Sequence, residues 1–166
     1  RYKEYYISFI YAIFVAIFFG TFESDLLNEA KSGDIVQYLY NIDYIRSIDF
    51  NQTILLNFPS VVWAVLLYTL THIFSNDLFI INFLKFIIAF VICLVAYKHI
   101  KRKAFIVLIL FSTLILEFYI GNVRAGFATI FFLYGFYQKN LKIKTIFYAL
   151  SIFTHAISAW LILTDI

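Results

Sequence analysis

Four ionisable side chains lie within apolar stretches of this 166-residue sequence: Arg124, His155, His72 and Lys85. A charge inside a membrane-length segment is costly, so each is a functional candidate. Arg124 follows Asn122 at the predicted start of a helix, where free backbone amides and a guanidinium together would suit a phosphate group. The alternative is that Arg124 only extends to the membrane interface.

His155 is predicted to lie within a helix, with Ser151 and Ser158 at i−4 and i+3 on the same face. Such a polar stripe must face the interior of a helical bundle. The imidazole could accept a proton near neutral pH or, when charged, bind a second phosphate; the alternative is a hydrogen-bonded packing residue. For His72 and Lys85, anchoring at the membrane interface is an adequate explanation.

Two further acidic residues stand near these candidates. Asp34 precedes Tyr38 by four positions, so the two would share one face if this stretch is helical. Glu117 closes an apolar segment shortly before Arg124, and we expect the two to pair in a structural role.

The sequence predicts no metal site and no cofactor. Cys93 is the only cysteine, so it forms no internal disulfide and its expected role is packing. There is no Cys/His cluster, His-Glu-x-x-His, glycine-rich phosphate loop or Gly-x-Ser-x-Gly elbow. A soluble hydrolase and a nucleotide-driven pump are therefore not supported.

The composition excludes a water-soluble domain, because 63% of the residues are hydrophobic and 14% are charged, far from the balance of soluble proteins. The net charge is +3, but the basic residues stand mostly at segment ends. That distribution is typical of membrane flanks and not of a nucleic-acid-binding face.

Six apolar segments predict an all-α, polytopic transmembrane bundle in which five or six segments enter the bilayer. The whole chain, 1–166, is expected to be a single membrane domain and an incomplete piece of a longer protein. A long polar stretch, 23–55, separates the first two segments. The segments are 6–22, 54–74, 78–97, 104–120, 123–137 and 146–163.

The basic clusters at 98–103 and 139–144 predict the orientation, since both should face the cytoplasm. The start of the fifth segment, with Arg124, then faces outward. A full span over 54–74 would place the acidic stretch inside, against the usual charge bias. We therefore expect 54–74 to be a re-entrant or outward-lying helix, opened by Asn57-Phe58-Pro59-Ser60, and such a segment would mark a cavity.

Several short motifs, in this order, resemble the EpsG family of bacterial exopolysaccharide polymerases, which are related in function to the Wzy-type O-antigen and capsule polymerases. The strongest match is 119–128 (YIGNVRAGFA), although Ala125 stands where the family has Gln. The other matches are 32–38 (SGDIVQY), 57–59 (NFP) and 153–159 (FTHAISA). Arg124 and Gly135 also satisfy an Arg-x10-Gly pattern described in the Wzy-type enzymes.

The resemblance implies a multi-pass enzyme at the outer face of the bacterial cytoplasmic membrane that joins oligosaccharide units carried on undecaprenyl pyrophosphate. It implies that Arg124 binds the pyrophosphate, oriented by Asn122, and that His155 is either a phosphate ligand or the base. Asp34 is the rival base. Tyr38 and Ser158 would bind substrate. Besides the bilayer, the implied partners are a chain-length regulator and a flippase.

Two other classes remain open. The chain could be a non-enzymatic membrane protein, either a carrier of lipid-linked glycans or a structural subunit of an export complex. A carrier should show internal repeats with discontinuities at the midplane, and no repeat is visible in the sequence. An acyltransferase would require an acidic partner for the membrane histidine, whereas His155 has only serines at helical spacing.

Overall fold

The computed structural model describes residues 33–99, 122–156 and 158–163, together with the helical positions 6, 9, 10, 12–14 and 17. Every regular element in these ranges is an α-helix, which confirms the predicted all-α class. The helices are α1 (Gly33–Ser47), α2 (Phe50–Asn57), α3 (Val61–Ile73), α4 (Asp77–His99), α5 (Val123–Phe136), α6 (Leu141–Thr154) and α7 (Ser158–Leu163).

Within the described ranges, one helix is long and apolar enough to cross a bilayer. This is α4, over the 19 residues Asp77–Val95, and it coincides with the predicted segment 78–97. Helices α3 and α5 are apolar but have only 13 and 14 residues, below the roughly 20 that a span requires. The predicted segment 104–120, and much of 6–22, lie outside the described residues.

The predicted segment 54–74 is divided between two helices. Helix α2 begins with a capping box, in which Asp49 Oδ1 accepts from the Gln52 amide at 2.8 Å. It ends at Asn57, just before Phe58 and Pro59, since a residue that precedes proline disfavours helical geometry. Helix α3 then begins at Val61. The motif 57–60 therefore opens a short apolar helix, as the sequence predicts.

The prediction of one continuous helix over 146–163 is wrong, because the chain breaks at His155. The backbone of His155 is extended, with φ −153° and ψ 112°. The Ser158 hydroxyl donates to the His155 carbonyl at 2.6 Å, a local bond that competes with helix continuation. Helix α6 ends at Thr154 and α7 begins at Ser158, so His155 and Ser158 do not share one helical face.

The core forms where α4 meets the other helices. Buried aliphatic side chains along one face of α4 pack with Trp63 and Leu67 of α3 and with Val123 of α5. The N-terminal helical positions join the same core, since Ala12 is fully buried and the Phe9 ring contacts the Phe90 ring edge-on at 5.7 Å. Burial of this apolar surface stabilises the arrangement.

Arg46 fixes the junction between α1, α3 and α4. Its guanidinium donates to the Phe74 carbonyl at 2.9 Å and to the Thr71 carbonyl at 3.5 Å, and it forms an ion pair with Asp77. A cation is favourable at a helix C-terminus, where carbonyls lack intrahelical partners. The polar stretch 23–55 thus contains a helix, α1, that is tied to the bundle.

Candidate functional site

The site is built at the N-terminus of α5, where Asn122 is the N-cap residue. Its side-chain oxygen accepts from the Ala125 amide at 3.1 Å. The same oxygen accepts from the Tyr38 hydroxyl at 3.3 Å. Asparagine is among the preferred N-cap residues because its oxygen satisfies an amide that has no partner within the helix. Asn122 therefore both starts α5 and joins it to α1.

Tyr38 connects two parts of the chain that are more than eighty residues apart. Its hydroxyl oxygen accepts from the backbone amide of Arg124 at 3.4 Å, while the hydroxyl proton is donated to Asn122. Its ring packs edge-on against Trp63, with centroids 5.8 Å apart. Trp63 is almost fully buried, so it holds the Tyr38 ring in position.

These bonds change the expected use of the α5 N-terminus. The sequence suggested free amides beside the guanidinium of Arg124, but the Arg124 and Ala125 amides already have acceptors within the protein. That part of the prediction is wrong, because Asn122 and Tyr38 occupy both amides. The side chain of Arg124 is the group left to meet an anion.

The side chain of Arg124 is half-buried. Its Nε atom is shielded from solvent and has no hydrogen-bond partner in the described part of the chain. A buried guanidinium nitrogen without an acceptor is expensive. Arg124 therefore has an unused donor, and its side chain is not fully extended into solvent.

Helices α5 and α6 bring His155 to the same end of the bundle as Arg124. The buried Ser151 hydroxyl donates to the Ala128 carbonyl at 2.8 Å. Ala128 lies one turn after Arg124, and Ser151 lies one turn before His155, so the two ends lie side by side. The half-buried His155 is close enough to Arg124 for their charges to interact.

For three other predicted site residues, the structure gives no contact with Arg124. Asp34 belongs to α1, one turn before Tyr38, so the expected helix is present there. Ser158 is buried, and its hydroxyl bonds the carbonyl of His155 within the chain break. Glu117, the expected partner of Arg124, lies outside the described residues.

Lys85 and His72 differ from each other in their surroundings. Lys85 is only 6% exposed within α4, so the prediction that it anchors α4 at the membrane interface is wrong. The physical reason is that Lys85 lies on the buried face of α4, together with Ile81, Leu84 and Ile88. His72 is exposed, lies against the Tyr68 ring and bonds the Tyr68 carbonyl at 2.8 Å. That arrangement is consistent with an anchoring role for His72.

Trp63 and Ala128 are parts of the site that the sequence did not single out. Trp63 supports Tyr38 through a ring contact, and Ala128 contributes only its carbonyl. Neither long-range contact leaves a spacing signal. Among the described residues, no group of three His, Cys, Asp or Glu side chains is placed to hold a metal ion.

Comparisons with protein-family models, with curated proteins and with solved structures give no match for this chain.

Proposed function

We propose that this chain belongs to a polytopic membrane enzyme that joins oligosaccharide repeat units carried on undecaprenyl pyrophosphate. The single observation that carries the proposal is the buried Nε of Arg124, which lacks an acceptor within the described residues. A planar guanidinium matches the oxygens of a phosphate group. A diphosphate would supply the acceptor that this atom lacks.

Electrostatics supports an anion at this position. Arg124 is always charged, and His155 lies close enough to interact with it. The permanent charge of Arg124 in a half-buried site attracts an anion. The imidazole of His155, at the same end of the bundle, can donate a hydrogen bond to that anion. The partial positive charge at the N-terminus of α5 acts in the same direction, even though two of its amides are already bonded.

The proposed reaction is a glycosyl transfer. A hydroxyl of the acceptor glycan attacks the anomeric carbon of the donor repeat unit, and the bond between that carbon and the diphosphate oxygen breaks. Arg124 stabilises the charge that develops on the leaving diphosphate, which is the kind of contribution that is usually largest in such reactions. The acceptor proton passes to His155 or, in the rival assignment, to Asp34.

Tyr38 and Asn122 would act by positioning. Their hydrogen bonds fix the first turn of α5 and therefore the place from which the Arg124 side chain extends. Direct binding of sugar hydroxyls by Tyr38, and of substrate by Ser158, stays a prediction.

A location in the bacterial cytoplasmic membrane, with this site toward the outer face, is part of the proposal. Helix α4 has membrane-spanning length. Large apolar side chains are exposed on the other helices as well, which is unfavourable in water and suits a lipid environment. They include Tyr40, Leu55, Leu141 and Trp160.

The test is the conversion of lipid-linked repeat units to polymer by the full-length protein. Arg124→Ala should lower turnover by about 100- to 1000-fold, as expected for loss of one preorganised charge-stabilising donor. The turnover of Arg124→Lys should lie between those of the wild type and Arg124→Ala, since lysine keeps the charge but not the planar fork. Lys142→Ala is the control, because Lys142 is exposed in the first turn of α6, away from His155.

Membrane abundance of each variant must match the wild type for the comparison to be valid. Normal insertion of Arg124→Ala with near wild-type polymer yield would overturn the proposal and favour a non-enzymatic membrane protein. The two candidate bases are separated by comparing His155→Gln with Asp34→Asn, because only removal of the true base should abolish the rise of rate with pH.

A further inference from the structure

A groove of about 410 Å³ lies between the C-terminal turns of α4 and α5, at the opposite end of α5 from Arg124. Leu133, one of its lining residues, follows Arg124 by nine positions, which is about 14 Å along the helix. Its volume falls within the roughly 300–1,000 Å³ of typical small-molecule sites. The groove is therefore separate from the proposed diphosphate site.

The lining changes character along the groove. The wall is aliphatic, formed by Val91 and Leu94 of α4 and by Leu133 of α5. The other end is polar and contains Lys98, in the last turn of α4, and Tyr137 and Gln138, which follow α5. An aliphatic channel with a cationic end has the two-part chemistry of a lipid chain and its anionic headgroup.

The depth of these residues along α4 matches the layers of a bilayer. The membrane-length part of α4 ends at Val95, so Val91 and Leu94 would lie within the apolar layer when α4 spans the bilayer as proposed. Lys98 comes three residues later, about 4.5 Å farther along the axis, where lipid headgroups begin. Headgroups of anionic lipids are attracted to basic pockets between helices at this level.

Charge at the polar end favours an anion. The described residues that line the groove include Lys98 and no acidic residue, and Lys98 forms no ion pair among the described residues. The last carbonyls of α5 would repel an anion, but those of Leu133 and Gly135 already accept from the Tyr137 and Gln138 amides. The partial negative charge of the helix end is thereby reduced.

We propose that this groove binds one anionic glycerophospholipid, with the phosphate at Lys98 and an acyl chain along Val91, Leu94 and Leu133. The bound lipid would fill the space between α4 and α5 at the end away from Arg124. The site rests on the proposed membrane location of α4, but it does not depend on the proposed polymerase activity.

The experiment measures lipid binding to the purified full-length protein in mild detergent, by native mass spectrometry with dioleoyl phosphatidylglycerol and dioleoyl phosphatidylcholine. We expect the anionic lipid to bind more tightly than the zwitterionic one. Lys98→Gln should weaken binding of phosphatidylglycerol by about 5-fold, from the contribution of one lysine near the membrane surface. Lys142→Gln, which removes an exposed lysine outside the groove lining, should leave binding unchanged.

Two further experiments distinguish binding of a lipid from binding of a phosphate group alone. Glycerol 3-phosphate in excess should not displace the bound lipid, because it lacks the acyl chain; displacement would overturn the proposal. Leu133→Trp should fill the groove and lower lipid occupancy, and Leu94→Trp tests the opposite wall if the first variant does not fold. Equal affinity of wild type and Lys98→Gln for phosphatidylglycerol would also overturn it.

Discussion

Tyr38 donates a hydrogen bond to the side chain of Asn122 across 84 positions of sequence. This contact joins α1, which belongs to the polar stretch after the first apolar segment, to the helix that carries Arg124. The proposed site therefore depends on a packing contact between a helix outside the predicted spans and the start of a predicted span.

Replacing Tyr38 by Phe should loosen this connection without removing the ring that packs on Trp63. The change deletes the donor to Asn122 and leaves the Arg124 amide without its acceptor, so we expect a loss of about 1 kcal/mol in stability. Thermal unfolding of the purified full-length protein measures it. Tyr40→Phe is the matched control, because Tyr40 lies in the same helix and is 73% exposed; an equal effect of the two changes would contradict the role of Tyr38.

Gly135 should tolerate no larger residue, because α5 and α6 pack closely at this position. A Cβ atom at position 135 would lie 2.7 Å from Cδ1 of Tyr148. Gly135→Ala should therefore destabilise the protein by about 1–3 kcal/mol through overpacking. The same change made in a Tyr148→Ala background should be much less harmful, and full additivity of the two changes would show that this contact does not set the requirement for glycine.

The sequence predicts most of the residues of the site, but it does not predict the contacts between them. Arg124, Asn122 and His155 stand out as polar residues in or beside apolar segments, whereas Tyr38 is a candidate only through the family resemblance. The structure brings all four to one end of the bundle. The break at His155 was not predicted, since neither Gly nor Pro marks it and the bond from Ser158 becomes visible only in three dimensions.

The long-range connections could not be read from spacing either. Nothing in the sequence singles out Arg46, yet it bonds two carbonyls at the end of α3 and pairs with Asp77. Burial of Lys85 was missed because a 3.6-residue periodicity is hard to see in a helix that is apolar on nearly every side. Apolar content predicts that such a helix exists but not which side faces its neighbours.

Membrane orientation gives a further prediction. Asp43, exposed in α1, should face the outside, and Lys142, exposed in α6, should face the cytoplasm, because the basic clusters determine orientation. Single cysteines at these positions, in a Cys93→Ser background, can be labelled in intact cells with an impermeant reagent. We expect labelling at position 43 before permeabilisation and at position 142 only afterwards; the reverse pattern would refute this orientation.

The most direct measurement is the affinity of the purified full-length protein for undecaprenyl diphosphate, compared with undecaprenol, which lacks the phosphates. Arg124→Ala should weaken binding of the diphosphate lipid by about 10- to 100-fold, the range for a hydrogen bond to a charged group, and leave binding of undecaprenol unchanged. His155→Ala should also weaken binding of the diphosphate lipid, and Lys142→Ala should leave it unchanged. Wild-type affinity of a folded Arg124→Ala variant for undecaprenyl diphosphate would contradict a diphosphate site at the N-terminus of α5.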